Sequence, residues 1–345
     1  MITKISNLNR NNLDDKTLND AANLINNGEL VAFPTETVYG LGADGLNDLA
    51  CQKIFLAKGR PADNPLILHI SKQEMLYNLV ESVNDDAKKL MKYCWPGPLT
   101  LILKKSDLIP SIVTAGLDTV AIRMPSDQIA LNLIKKADTP IAAPSANTSG
   151  KPSPTRAKDV YHDLNTKIPL ILDGGSCKIG IESTVVDCSQ ENPVILRPGY
   201  YTYEYLKGLI PSISLDDSLI SDDKIPKSPG QKYKHYSPNA KMQVYIGENA
   251  PEKILEDAIE YKMQNQKVGI LIFDDSISKF DDFQSLSLGS RDNLKYMSHI
   301  LFTALREMDN NGIDIILAEG VSDKNLGKSI MNRMKKSASN NIIYL

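Results

Sequence analysis

The sequence predicts an α/β protein in two domains, on three observations. Short apolar runs that read as buried strands alternate with segments of helical periodicity. The polar, glycine- and hydroxyl-rich loops collect at the ends of those runs, which places a site along one edge of a sheet. A chain of 345 residues with 42% apolar and 23% charged residues is of ordinary globular composition but exceeds one comfortable core. For the larger first domain, α/β and α+β both remain open. Periodicity lapses over 211–238, a stretch too long for an idle turn in a compact protein. The expected division is therefore a first domain over 1–210, a linker or lid over 211–240 and a small βα domain over 241–345.

Leu13, Leu18, Ala21, Ala22, Leu24 and Ile25 make a helical stripe that stops at Asn26-Asn27-Gly28. Residues 30–33 form the first central strand and run into Pro34-Thr35-Glu36-Thr37. Tyr39-Gly40-Leu41-Gly42 follows and reads as a turn whose glycines let the backbone approach a ligand. A helix over 48–56 ends at Lys58-Gly59-Arg60-Pro61, where proline prevents its continuation. Asn64-Pro65 leads into a strand over 66–68, capped by His69. A helix over 85–93 stops at Cys94-Trp95-Pro96-Gly97-Pro98 and feeds a strand over 99–103. The strand over 119–125 carries Arg123 near its end, and a charge closing an apolar strand faces a cleft more often than the core.

A helix over 127–136 and a strand over 140–143 deliver Pro144-Ser145-Ala146-Asn147-Thr148-Ser149-Gly150, with Ser153 just beyond. Strands at 170–172, 181–187 and 194–196 follow, the last closed by Arg197-Pro198-Gly199. In the small domain, strands at 242–246 and 268–273 bracket a helix over 251–264. A strand at 283–288, a helix over 293–309, a strand at 313–318 and a helix over 328–338 complete it.

The 39 basic and 42 acidic residues leave a net charge of −3, which excludes a general nucleic-acid coat and confines any basic site to a pocket. Cys51, Cys94, Cys177 and Cys188 have neither metal-finger nor redox spacing, so reduced thiols and no protein-held metal are expected. The first residues hold no apolar core of signal-peptide length, and no later run approaches the roughly 20 residues of a membrane span. A soluble cytoplasmic protein is expected.

Lys58 and Arg60 alone would be helix-end charges, which favour that position anyway. Arg123, Arg197, Lys232 and His235 also fall at strand ends or in the linker, however, so several cations could converge on one cleft. Ser145 and Asn147, two residues apart, would point the same way and could meet phosphate oxygens. His69 divides evenly between a core hydrogen bond and a substrate contact. No Ser-His-Asp arrangement, Walker loop, dinucleotide fingerprint or zinc spacing is present. The residues by themselves indicate an anion-binding α/β enzyme acting on a nucleotide, without an obvious covalent nucleophile.

The stretches FPTETVYGLGAD, KGRPADNPLILH, WPGPLTLIL, VAIRMP, APSANTSGKPSPT, GIESTVVD and ILRPG, in that order, closely resemble the YrdC-like family. The linker SPGQKYKHYSP resembles that of its two-domain form. The resemblance implies a twisted mixed open sheet with flanking helices, plus a smaller Rossmann-like βα domain. It implies a nucleotidyltransferase that joins L-threonine, bicarbonate and ATP, with Mg²⁺, into threonylcarbamoyl-AMP and releases pyrophosphate. A separate transferase complex would then modify adenosine in tRNAs that read codons beginning with A, with direct tRNA contact allowed but not required. By the same resemblance Lys58 and Arg60 are the catalytic pair. Arg60, Asn64, Thr119, Ser145, Asn147, Ser153, Arg197 and His235 contact ATP. Thr37, His69, Arg123, the backbone at Ala143, and Ser183 hold threonine. The rival reading is an RNA-binding module without adenylate-forming activity.

Overall fold

The computed structural model describes residues 2–219 and 236–345. Over those residues the chain divides into two compact units, one of 2–149, 153–178 and 182–219, the other of 150–152, 179–181 and 236–345.

Among the described residues the first unit is built on an eleven-stranded sheet. Its strands are β1 (Lys4–Asn7), β2 (Val31–Phe33), β3 (Gly40–Asp44), β4 (Ile67–His69), β5 (Leu99–Lys104), β6 (Thr119–Arg123), β7 (Ile141–Ala142), β8 (Leu170–Asp173), β9 (Thr184–Asp187), β10 (Val194–Arg197) and β11 (Ser214–Leu215). They lie in the order β1-β8-β2-β3-β7-β4-β6-β5-β9-β10-β11 and mix parallel pairs such as β4–β6 with antiparallel ones such as β5–β6. This is the open mixed sheet the sequence leads one to expect.

One face of the sheet is fully packed. Leu68, Leu101, Leu103, Val120 and Ile122 meet Ile54 and Phe55 of helix Asp48–Lys58, Leu90 and Met91 of helix Asp85–Cys94, and Val160 of helix Ala157–Leu164. On the other face, helices Asp15–Asn26 and Gln128–Ala137 bring Leu18, Ile25, Leu133 and Ile134 against Val31, Phe33, Ile141 and Leu170. Among the described residues these two helices lie over the half running from β1 to β7. Beyond it, alternate residues of β4, β6, β5, β9 and β10 contribute a small separate cluster of Ile102, Ala121, Val185 and Leu196, with Ile67 and Val194 against it. Side chains alternate between faces, so the next residues on this face are His69, Arg123 and Thr100.

Two expectations need correction. Tyr39-Gly40-Leu41-Gly42 is not a ligand-facing turn, because Gly40 to Gly42 pair antiparallel with β2 and Ala43 and Asp44 go on to pair with β7. A Cβ on Gly42 would lie 2.7 Å from Phe33 Cε1 and 2.8 Å from Ile141 Cγ2, so the glycine makes room for core side chains. The first domain also runs past residue 210: β11 pairs parallel with β10, and a 3₁₀ turn follows at Asp217–Leu219. At the other end of the expected linker, Ser237 N–H donates to Gly150 O inside the second unit at 2.9 Å. Lys232, His235 and most of the expected lid lie outside the described residues.

The second unit carries a five-stranded, all-parallel sheet. Its strands are β12 (Lys241–Ile246), β13 (Val268–Ile272), β14 (Gln284–Ser287), β15 (Ile315–Glu319) and β16 (Ile342–Tyr344), in the order β14-β13-β15-β12-β16. Helix Ala250–Met263 packs Ala250, Ile254 and Ala258 on Tyr245, Ile270 and Leu317. Parallel strands need crossovers of this kind, and the resulting βα alternation was visible in the sequence. Among the described residues no helix is long and apolar enough to cross a membrane.

Candidate active site

A row of polar side chains crosses β6, β5, β9 and β10 on the face that carries Ile102, Ala121 and Val185. Arg123 stands opposite Thr100 in the β5–β6 register, and Thr100 stands opposite Val185 in the β5–β9 register. Thr100 Oγ1 and Ser183 Oγ are 2.8 Å apart, and Arg197 donates through Nη2 to Ser183 Oγ and through Nε to Ser183 O, each at 3.1 Å. Arg197 reaches this row because of a register shift between Ile195 and Arg197 that sets it, rather than Leu196, opposite Val185. Bulges of this type re-aim one side chain. At the other end, Arg123 Nη1 donates to Thr37 Oγ1 at 2.8 Å, Nε reaches Gly97 O at 3.3 Å, and Nη2 sits 2.7 Å from Glu36 Oε1. Arg123 and Arg197 are both buried, so each guanidinium acts in surroundings where charge is weakly screened.

The Ser145–Asn147 loop is held from beneath by Lys58. Helix Asp48–Lys58 ends in a left-handed Gly59 at φ 60°, the usual way for glycine to close a helix. Lys58 is only 2% exposed, and its Nζ donates to Ser145 O at 2.5 Å and Asn147 O at 2.6 Å, with Asn147 Oδ1 at 3.5 Å. Ser145 Oγ donates to Asn147 Oδ1 at 2.5 Å, so the two residues do point together. Lys58 thus meets the loop's carbonyls, and through them positions the loop. Arg60 donates from Nη2 to Asn64 O at 2.9 Å and lies over the Phe55 ring, 5.8 Å from its centroid. Ser153 Oγ donates to Glu182, the neighbour of Ser183.

Thr119 begins β6 and Arg123 ends it, on the same face and about 13 Å apart by the rise of a strand. The residues expected around threonine and those expected around the nucleotide are therefore spread along one strand. Ala143 gives its N–H to Ile67 O at 2.9 Å, so only its carbonyl could serve a ligand. Glu36, Thr100 and Glu182 have no role readable from the sequence: a polar residue in or beside an apolar strand does not reveal which face it takes.

His69 is a buried imidazole, edge-on to Phe33 with centroids 6.3 Å apart and Nδ1 3.2 Å from Ile67 O. Burial, then the nearby Arg123 charge, push its pKa down to about 3. Below the ordinary histidine value the unfolded chain binds a proton that the folded one refuses, so stability falls as pH drops through that window. Between pH 7 and pH 5 the protein should lose about 2 kcal/mol more in urea unfolding than His69→Gln does. Parallel pH dependences in the two proteins would show that the ring is accessible to protons. The four thiols are buried as well, and burial pushes Cys51 and Cys94 up to about 12, out of reach as nucleophiles near neutral pH.

Residues 23–199 match the Sua5/YciO/YrdC family model, whose description is telomere recombination. The chain belongs to this family. Residues 201–339 match the model described as threonylcarbamoyl-AMP synthase, C-terminal domain. Threonylcarbamoyl-AMP synthases of Pyrococcus abyssi and Bacillus subtilis are each 46% identical to this Sua5/YciO/YrdC family member, the first across 97% of both chains, the second across 96% of this chain and 95% of the relative. The crystal structure of P. abyssi Sua5 complexed with L-threonine is 45% identical, covers 99% of either chain and has a TM-score of 0.93. E. coli YciO, at 23% identity and a TM-score of 0.52, shares the fold.

Proposed function

We propose that this family member condenses L-threonine, bicarbonate and ATP into L-threonylcarbamoyl-AMP with release of pyrophosphate, acting as a threonylcarbamoyl-AMP synthase. The observation that carries this reading is the buried row from Arg123 to Arg197, lined by Thr37, Thr100 and Ser183. The names of the full-length relatives support it, and they lend no support to the RNA-binding alternative. The use of bicarbonate and the later transfer to tRNA adenosine by a separate complex, in the cytoplasm, belong to the same proposal.

The chemistry asks little of a side-chain nucleophile. Threonine carbamate, formed from the free amine and bicarbonate with loss of one water, attacks the α-phosphorus through one oxygen, the new P–O bond forms, and the bond to pyrophosphate breaks. Two anions must meet, so positioning and cationic stabilisation carry the rate. Arg123, Thr37, His69, Ser183 and the Ala143 carbonyl would surround threonine. Arg60, Asn64, Thr119, Ser145, Asn147, Ser153 and Arg197 would surround ATP, with Lys58 holding the phosphate-facing loop. His235, in the 211–240 segment, would complete the nucleotide side. Among the described residues no group of three or more His, Cys, Asp or Glu could hold a metal. Mg²⁺ would enter with ATP and offset the charge of its phosphates.

The test is direct. The full-length protein with L-threonine, bicarbonate, ATP and Mg²⁺ should yield one pyrophosphate per threonylcarbamoyl-AMP, detected by mass. Omitting bicarbonate or threonine should stop both products. RNA binding with a steep salt dependence and no pyrophosphate release would defeat the reading.

A further inference from the structure

Glu36 is 5% exposed and lies between Thr35 and Thr37 on the loop that follows β2. Its Oε1 is 2.7 Å from Nη2 of Arg123, which is itself 4% exposed. That separation makes an ion pair, yet neither carboxylate oxygen of Glu36 nor that Nη2 takes part in a hydrogen bond of good geometry. The charges neutralise each other while the hydrogen-bonding capacity of the carboxylate and of that Nη2 stays unused. Buried polar groups are nearly always satisfied, and a carboxylate offers about four acceptor positions. The neighbouring groups on this loop have partners: Thr37 Oγ1 accepts from Arg123 Nη1 at 2.8 Å, and Thr35 Oγ1 donates to Val38 O at 2.6 Å.

We propose that Glu36 accepts the α-ammonium group of the amino-acid substrate while Nη2 of Arg123 takes its α-carboxylate. This rests on, and deepens, the reading of the site given above. A zwitterionic α-amino acid carries its cation and its anion on one carbon, so it complements an anion and a cation held side by side. Both ends then form charge-assisted hydrogen bonds, the strong kind. A ligand with only a carboxylate would bury Glu36 unsatisfied, so the pair selects amino acids over hydroxy acids by penalising the wrong one. The near-neutral pair also gives a bare phosphate less reason to enter this end of the row than a lone arginine would.

The experiment is calorimetric titration of the full-length protein with L-threonine and with 2,3-dihydroxybutanoate of matching stereochemistry, in which a hydroxyl replaces the α-ammonium. The unaltered protein should favour threonine by roughly 10-fold or more, and E36Q should lose roughly 10- to 100-fold on threonine but little on the hydroxy acid. The preference then approaches one, while a non-hydrolysable ATP analogue binds E36Q as before and shows that the site is still formed. Equal losses on both ligands would mean that Glu36 only orients Arg123, and would overturn the proposal. So would an unaltered protein that binds the hydroxy acid as tightly as threonine, a result that needs no variant to fold. Failure of the activity reading would show separately, as no threonine binding by the unaltered protein at all.

Discussion

Lys58→Ala should lower ATP–pyrophosphate exchange at least about 100-fold and cost about 2–4 kcal/mol of stability in urea unfolding. Both effects follow from the same contacts. Nζ of Lys58 donates to Ser145 O, Asn147 O and, more weakly, Asn147 Oδ1, in a place with 2% exposure. Truncation leaves carbonyls without their donor in a part of the protein that water does not easily reach, and unmade buried hydrogen bonds cost about 1–3 kcal/mol each. The loop that presents Ser145 and Asn147 would lose its support, and an error of about an ångström in positioning is enough to cost about 100-fold in rate. Lys58→Arg should not restore activity, because a planar fork cannot replace a compact ammonium among carbonyls. A lysine that acted only by touching phosphate would behave otherwise: its removal would spare stability and depress turnover alone. Urea midpoints beside exchange rates for the same variant therefore separate the two roles.

The sequence made the strands near the site legible, and for a physical reason. Apolar runs such as Leu99 to Leu103 and Val120 to Ile122 are buried on at least one face, and a charge or amide at the end of such a run has few places to go. The elements that escaped notice lack that signal. β1 has one apolar residue in four, and β11 is two residues long at the sheet edge. In β3 the glycines that fit against Phe33 imitate a turn. At the site, spacing could pair Ser145 with Asn147 because two residues along a chain share a direction. It could not show that Lys58 lies under that loop, because this depends on the angle at which a helix meets a strand end. Nor could it show that a bulge would turn Arg197, instead of Leu196, toward Val185.

Arg123→Met should be the most damaging substitution near the threonine end, and the reason lies in its partner as much as in its own contacts. Removing the guanidinium leaves the Glu36 carboxylate buried without a cation, and breaking a buried ion pair from one side typically costs about 3–5 kcal/mol. It also removes the donors to Thr37 Oγ1 and Gly97 O. In the double variant Arg123→Met with Glu36→Gln no charge is stranded, so about 1–3 kcal/mol of that loss should return. Threonine-dependent pyrophosphate release should not return with it, because the restored fold still has no cation for a carboxylate. The pattern to look for is thus a stability that recovers and a turnover that does not. If the double variant were no more stable than the single one, Glu36 and Arg123 would be uncoupled, and their 2.7 Å approach would be an incidental contact. If turnover recovered along with stability, the arginine would be a structural residue, and the anion of the amino acid would have to be bound elsewhere on the row, with Arg197 the next cation along it.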